Sequence, residues 1–462
     1  MEKEYMSNSK YQKRLFGTNG VRGVCGKDLT PELVLVIGEA LGTLRKGCIA
    51  VGRDTRTSGE TLVMAIKAGL LSTGCDVVDC GVLPTPALQY LVSAHFEGGA
   101  MITASHNPPE YNGVKIIDSD GTEMGDEDTL KLEQQIFEPT FSLKPWTQIG
   151  HEIHSPGLIR TYIDGIVHHF PEKVGSQMTV IVDPGYGPAC LTTPGILTDM
   201  GCKVITLNGI TDGTFPGRMP EPSPEGLKDL AKLVISSGAN FGIAHDGDAD
   251  RAVFIDNCGQ FIEENQEFAL FARYVCQQKK GAVVTPVSTS KTVEIVVKNE
   301  GSTVTYTPVG SIYVARTMRL LMDEGEEVVF GGEGNGGLIF PGHQFCRDGG
   351  MTAAMMVFIL ASTGQTLSQL IESIPKRSII KDKIKTSLGP QVLESLKVKY
   401  SNDKLDLTDG IKIIRDTSWA LVRASGTEPM IRIIVDSDTH ECGKIFHQEL
   451  MNHISKITEN TR

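Results

Sequence analysis

No block of lysine and arginine occurs anywhere in the 462 residues, and 44 basic against 56 acidic side chains leave a net charge of −12. A broad nucleic-acid-binding face is therefore not expected. No apolar run reaches membrane length: the longest, 353–361, holds nine residues, against about 20 for a spanning helix. The opening MEKEYMSNSKYQKRLF contains no apolar leader core, so no secretory signal is expected. Ten cysteines are scattered without a single CxxC pair. Cys75 and Cys80 come nearest to pairing, in CDVVDCG, which reads as a strand. Five apart on a strand they face opposite sides about 17 Å apart, too far for a bridge. These absences lead to the expectation of a soluble protein with reduced thiols, cytoplasmic, touching neither membrane nor nucleic acid. If its ligand is acidic too, it needs a local positive pocket.

The chain is long enough for about three domains or more, and it carries an internal repeat. The segments 47–81, 178–209 and 281–310 each open with a buried-type strand and a small polar turn. A helical stretch, a glycine, a second strand and a closing glycine follow in each. A strand–helix–strand unit of about thirty residues predicts parallel sheet with covering helices. Copies more than 100 residues apart are too distant for a solenoid, so three related α/β domains in series are expected. GGAMITAS and GVKIID extend the first, ANFGIAHDGD and RAVFID the second, EEVVFGGE the third. Beyond Pro375 the strands become charged and alternating, and a helix is expected from about Glu441, which reads as a smaller α+β domain. The boundaries so read are 1–150, 151–258, 259–375 and 376–462.

Four motifs carry chemistry. In HDGDADR, Asp246, Asp248 and Asp250 recur at every second residue where a strand ends, so three carboxylates can converge. Oxygen-only ligands suit a hard cation, Mg²⁺ above all. An EF-hand is excluded, because Arg251 and Asn257 stand where its glycine and glutamate belong. GGEGNGG (331–337) imitates a dinucleotide fingerprint, but the apolar LIFPGHQF that follows opens no helix. What remains is a flexible loop offering Glu333 and Asn335 to sugar hydroxyls. RASGTEPMIRI supplies the positive pocket: Arg423, a Ser-Gly-Thr turn and Arg432 are the parts of a phosphate cradle.

The fourth is TASHNPPEYNGVK (103–115). Neighbouring strand residues point to opposite faces, so His106 is badly placed to deprotonate Ser105, and no GxSxG elbow is present. The turn in NPPEYNG can bring Lys115 back alongside Ser105. A serine near a lysine, with a cation loop elsewhere, suits phosphoryl transfer better than acyl transfer. A phosphatase would need an activated water and a further metal cluster, which is not evident. A phosphosugar-binding protein without activity would be expected to lack Ser105 or an aspartate.

Together with FGTNGVRG (16–23), these motifs in this order resemble the α-D-phosphohexomutases over essentially the whole chain. DGTFPGRMPEPSPEGL (212–227) is similar to the branch of phosphoglucosamine mutases and phosphoglucomutase/phosphomannomutases. The resemblance implies four domains around a central cleft and a resting enzyme carrying phosphate on Ser105. It implies Mg²⁺ on Asp246, Asp248 and Asp250 with an oxygen of that phosphate, and Arg251 beside it. Lys115 would move protons, supported by Arg22 and His106. Glu333, Asn335 and Gly310 would meet the sugar, and Arg423, Ser425, Gly426, Thr427 and Arg432 the remote phosphate. Many members end the sugar loop Ser-Gly-His; here Asn335 and Gly337 take those serine and histidine positions, and His343 or Arg347 would compensate. The implied reaction converts hexose 6-phosphate to hexose 1-phosphate, primed by a trace of hexose 1,6-bisphosphate, in a monomer or homodimer. Glucosamine is the expected sugar, with glucose or mannose as the alternative.

Overall fold

The computed structural model describes residues 14–17, 20–155, 157–424 and 430–459. Alternation and β-branched content place nineteen strands among them. The first sheet contains β1 (Val21–Val24), β2 (Cys48–Arg53), β3 (Asp76–Val82), β4 (Gly98–Ile102), β5 (Tyr111–Asp118) and β6 (Glu152–Ile153), in the order β1-β5-β4-β2-β3-β6. β7 (Thr179–Asp183), β8 (Lys203–Thr206), β9 (Phe241–His245) and β10 (Ala252–Ile255) follow in the order β10-β9-β7-β8. β11 (Ala282–Pro286), β12 (Thr303–Thr307), β13 (Val328–Glu333) and β14 (Gly337–Ile339) order as β12-β11-β13-β14. The last sheet, β15 (Ser378–Lys385), β16 (Lys404–Asp406), β17 (Ile411–Ile414), β18 (Ser418–Ala424) and β19 (Met430–Ser437), orders as β15-β19-β18-β17-β16.

All three repeats are strand–helix–strand units: β2, the helix Gly59–Ser72 and β3; β7, the helix Thr193–Asp199 and β8; β11, the helix Lys291–Asn299 and β12. The β2–β3, β2–β4, β11–β12 and β11–β13 pairs are parallel, whereas β4–β5, β1–β5 and β13–β14 are antiparallel. The sheets are thus mixed and mostly parallel, as their near-continuous apolar strands require when both faces are covered. The C-terminal sheet is antiparallel throughout. Its inner face, including Val422, Ile431 and Ile433, packs with Leu396 of Gly389–Lys399 and Phe446 and Leu450 of His440–Glu459.

The chain divides into two compact units. One takes in the chain to Lys173 with Val182–Lys228 and Ala244–Asp250; the other takes in Val174–Ile181, Asp229–Ile243 and the chain from Arg251 on. In the second unit, Lys412 Nζ donates to Val287 O at 2.7 Å and lies 4.2 Å from the Trp419 ring centre. Ser290 Oγ donates to Asp436, which also receives Arg377 Nε. These contacts dock the outer face of the C-terminal sheet on the edge of the β11 region. No described helix is long and apolar enough to cross a membrane, and all ten cysteines are free thiols.

Candidate active site

β4 runs out at Ile102 and the chain turns sharply at Ser105, whose φ of 50° lies in the left-handed region. Such a conformation is costly for a non-glycine residue and persists only where its surroundings hold it. Here the holding group is Arg56, fully buried at the end of the turn after β2. All five of its side-chain N–H groups are used. Nε donates to Asp54 Oδ2 (3.0 Å), Nη1 to Pro108 O (2.6 Å) and Tyr111 O (2.9 Å), and Nη2 to Ser105 O (2.7 Å) and Asn107 O (2.6 Å). Asp54 also accepts from Thr103 Oγ1, which in turn accepts from Ser105 N. Nothing in the sequence marked Arg56: apart from Asp54 its partners are main-chain carbonyls about fifty residues on, which no side-chain pattern reveals.

The serine turn meets the acidic turn after β9. Ser105 Oγ donates to Asp246 Oδ2 at 2.8 Å, and Gly247 fits because an added Cβ would lie 2.3 Å from Ser105 O. Lys115 stands opposite Met101 in the β4–β5 register. Its Nζ reaches Asp248 Oδ2 (2.8 Å) and Asp250 Oδ2 (3.4 Å), and Thr85 Oγ1 also donates to Asp248 Oδ2 (2.6 Å). Lys115 is thus brought to the acid cluster that receives Ser105, on different carboxylates. Burial alone would drive the Lys115 ammonium to lose its proton, but Asp248, Asp250 and Glu123 outweigh it and push its pKa up. Burial likewise opposes charge on Asp248, yet Lys115, Thr85 and Arg22 hold its carboxyl well below the usual range. The pair is ionised.

The expectation that Ser105 and His106 face apart rested on both lying in a strand, and they do not. In the tight turn Ser105 Oγ comes 3.4 Å from His106 Nδ1, farther than from Asp246, and His106 Nδ1 lies 3.8 Å from Glu221. Arg22, on β1, donates to Asn107 Oδ1 at 3.0 Å.

One oxygen from each of Asp246, Asp248 and Asp250 lies within 4.8 Å of the other two, all buried. Asp248 Oδ1 is buried and has no hydrogen-bond partner among the described residues. Three buried carboxylates with an orphan oxygen, and no nitrogen or sulfur donor among them, fit a small hard dication such as Mg²⁺.

In the second unit, the expected flexible sugar loop is a fixed hairpin with Glu333 opposite Gly337. Glu333 Oε2 receives Arg347 Nη1 (2.7 Å) and Asn335 Nδ2 (3.4 Å), and Asn335 Oδ1 receives Gly337 N. Arg347 is therefore the residue brought to the loop; the His343 imidazole is buried 3.4 Å from Asp348. Glu333 and Asn335 line a cavity of about 200 Å³ with Asn265, Ser288, Lys381 and Trp419. Gly310, with φ 142°, caps the helix Ser311–Asp323 beside Val309, whose N–H donates to Asp409. Asp409 also holds Arg423 Nη2 at 3.0 Å. Arg423 faces Arg432 directly across β18–β19, and Arg432 faces Lys383 on β15. This row of three cations on one sheet face, in which like charges oppose each other unless an anion is present, includes Lys383, which the motif reading missed. Ser425, Gly426 and Thr427 lie outside the described residues, and Arg251 is buried directly after the triad.

Four phosphoglucomutase/phosphomannomutase domain models match in series. They are alpha/beta/alpha domain I at residues 13–143, domain II at 160–259, domain III at 263–378 and the C-terminal domain at 377–452. A phosphoglucomutase/phosphomannomutase of Thermococcus kodakarensis is 44% identical over 444 residues, 93% of this chain and 95% of the relative. A phosphoglucosamine/phosphogalactosamine mutase of Sulfurisphaera tokodaii is 38% identical over 460 residues, 96% of this chain and 99% of the relative. The crystal structure of a phosphoglucomutase/phosphomannomutase family protein from Burkholderia thailandensis shares the fold, with a TM-score of 0.84 at 24% identity over 95% of this chain and 97% of that one. The chain belongs to the phosphoglucomutase/phosphomannomutase family. It is a phosphohexomutase, an isomerase that moves a phosphoryl group between positions of a hexose.

Proposed function

We propose that this phosphohexomutase interconverts hexose 6-phosphate and hexose 1-phosphate through a phosphorylated Ser105 and a 1,6-bisphosphate intermediate, with glucosamine phosphate as its principal substrate. The observation that carries this reading is the Ser105–Asp246 hydrogen bond inside a buried triad that also binds Lys115. In the forward cycle the Oγ–P bond of phospho-Ser105 breaks as an O–P bond forms to the free sugar hydroxyl. Lys115 relays the proton, giving one to the departing Ser105 Oγ and taking that of the hydroxyl. The bisphosphate then returns its other phosphoryl group to Ser105, restoring the enzyme and leaving hexose 1-phosphate. Asp246, Asp248 and Asp250 would hold Mg²⁺, which when bound offsets the negative charge of the transferring group.

Arg22 and His106 support the serine turn. Glu333, Asn335, Gly310 and Arg251 meet the sugar and its reacting phosphate, with Arg347 behind Glu333. Arg423 and Arg432, with Ser425, Gly426 and Thr427, hold the phosphate that is not transferring. They must accept it from either end of the sugar, so they read phosphate rather than sugar.

The relative named for phosphoglucosamine supports the amino sugar. The Thermococcus relative, at 44% identity, favours glucose or mannose as the second reading. The test supplies Mg²⁺ and a trace of hexose 1,6-bisphosphate with glucosamine, glucose, mannose and N-acetylglucosamine 1-phosphates in parallel. The largest kcat/KM is expected for glucosamine 1-phosphate, and no conversion of any of the four would refute the mutase reading. Intact mass is expected to find one phosphate, absent from Ser105→Ala; active enzyme without it would refute the phosphoserine.

A further inference from the structure

One device stands at the end of the first strand in two of the three repeats. In the first, Asp54 Oδ1 accepts from Arg56 N, two residues on, and Oδ2 accepts from Arg56 Nε, while the Arg56 guanidinium holds Ser105 O after β4. In the second, Asp183 Oδ1 accepts from Gly185 N, again two residues on, and Oδ2 accepts from Arg218 Nε at 3.0 Å. Arg218 Nη2 then donates to His245 O at 2.7 Å, where β9 ends. β4 flanks β2 as β9 flanks β7, so the carbonyls held are equivalent in the two sheets. The arginines are not equivalent in the chain. Arg56 is two residues from its aspartate, whereas Arg218 arrives thirty-five residues on, from the DGTFPGRMPEPSPEGL segment. Arg218 and Asp183 are both buried, and a Cβ added at Gly185 would strike Arg218 Nη2. The segment that delivers Arg218 also reaches the first clamp: Gly213 bridges to Arg56, and the Phe215 ring centre lies 5.4 Å from the Arg56 guanidinium carbon. In the third repeat the place is taken without charge, by Thr285 Oγ1 donating to Gly332 O at 2.9 Å, one residue before Glu333.

Resting on the reading of the triad given above, we propose that Arg218 is a positioning residue for the cation site, the counterpart at the acidic turn of Arg56 at the serine turn. His245 O and Asp246 N belong to one planar peptide unit, so a buried, charge-assisted bond to that oxygen fixes the plane from which Asp246 leaves the sheet. Asp246 is also the carboxylate that receives Ser105 Oγ. Its direction therefore governs the serine and the cation together. A group that orients a metal ligand without touching the metal typically contributes ~10–100-fold in metal affinity. Loss of Arg218 should appear in that affinity, beyond what a general loosening of the fold would cause.

The experiment follows Mn²⁺ binding by electron paramagnetic resonance, and Mg²⁺ binding by displacement of Mn²⁺. It uses the whole chain carrying Ser105→Ala, so that phosphate on the serine does not differ between preparations. Arg218→Met is expected to raise both Kd values ~10–100-fold. Arg218→Lys, whose ammonium can reach some of the acceptors but not all, is expected to raise them by a smaller factor. Asn208→Ala is the control for loosening: it removes the other side-chain donor to Asp183 and spares His245 O. The φ of 53° at 208 suits asparagine better than alanine, so this variant should lose stability in urea and keep both Kd values. Unchanged affinity in Arg218→Met, or an equal loss of affinity in Asn208→Ala, would overturn the inference while leaving the mutase reading standing. Should Arg218→Met not fold, Arg218→Lys decides alone: unchanged Kd values in it overturn the inference. A parent chain that takes up no Mn²⁺ overturns it as well. In chains that keep Ser105, the Mg²⁺ concentration giving half-maximal conversion of glucosamine 1-phosphate is expected to rise in Arg218→Met by the same factor as the Kd. A wild type that converts no hexose phosphate removes the mutase reading, and the Kd values still decide the role of Arg218.

Discussion

Replacing Arg56 by methionine tests whether one buried guanidinium shapes the serine turn. Methionine keeps much of the stem volume and removes all five hydrogen bonds. Asp54 and the carbonyls of Ser105, Asn107, Pro108 and Tyr111 then lose their partner. Breaking a buried ion pair from one side costs about 3–5 kcal/mol, and each stranded carbonyl adds about 1–3 kcal/mol unless water reaches it. Since the loop can relax toward water, the contributions do not sum, and a loss of at least ~4 kcal/mol is expected. Urea unfolding followed by circular dichroism measures it, with kcat for the loop itself. Burial already holds the Asp54 carboxyl above its ordinary pKa with Arg56 beside it, and without Arg56 it rises further. A folded pKa above the unfolded one gives stability that is lost as pH rises through the folded value. The variant should therefore be more deficient at pH 8 than at pH 5. Lysine at this position, with three donors, should recover less than half of the loss. A loss below about 1 kcal/mol at pH 8, with kcat intact, would refute the reasoning.

Lys115→Met leaves Asp248 and Asp250 without their ammonium and should lower kcat by ~10²–10⁴-fold; a loss under tenfold in a steady-state assay would remove Lys115 from the proton path. Glu267 is fully buried, neither carboxylate oxygen has a partner among the described residues, and burial, with Glu264 and Glu263, pushes its pKa well above the ordinary value. Its folded state keeps the proton longer than its unfolded state, so stability falls as pH rises. Glu267→Met should therefore gain stability relative to wild type by up to ~1.4 kcal/mol per pH unit above about pH 4.5, and equal denaturation midpoints at pH 5 and pH 8 would contradict this. Burial raises the thiol pKa of Cys80 to about 12 and those of Cys190 and Cys202 to about 11. Thiol titration of native protein at pH 8 should thus find exposed Cys258 and Cys442 reacting first, and fast modification of Cys80 would count against the packing of β3.

Local signals in the sequence were strong enough to reveal the repeats, because each strand–helix–strand unit carries its own turn and glycine punctuation. The three aspartates were legible for a similar reason: their spacing alone makes them converge. His106 was misjudged because strand parity was extended into a turn that reverses at Ser105. The sugar loop looked flexible because glycines read as freedom; the constraint comes from the hairpin pairing and from Arg347, fourteen residues after the Glu333 that it binds. Arg56 was invisible, since four of its five hydrogen bonds go to main-chain carbonyls, which leave no complementary side chain to recognise. The cation row through Lys383 became apparent only with the β15–β19–β18 register.

The phosphoryl centre joins partners far apart along the chain: Ser105 and Asp246 are 141 residues apart, Lys115 and Asp248 133, and Thr85 and Asp248 163. Contacts of such separation carry a larger loop-closure cost than the local strand–helix–strand units and are expected to form after them. Until they form, Asp246, Asp248 and Asp250 repel one another with no ammonium among them. Refolding should then recover helix and sheet before activity, and that final step should quicken with divalent cation and slow with chelator. Catalytic competence is then expected to be a late folding event, separable in time from the fold that supports it, and activity recovered in step with helix and sheet would refute this.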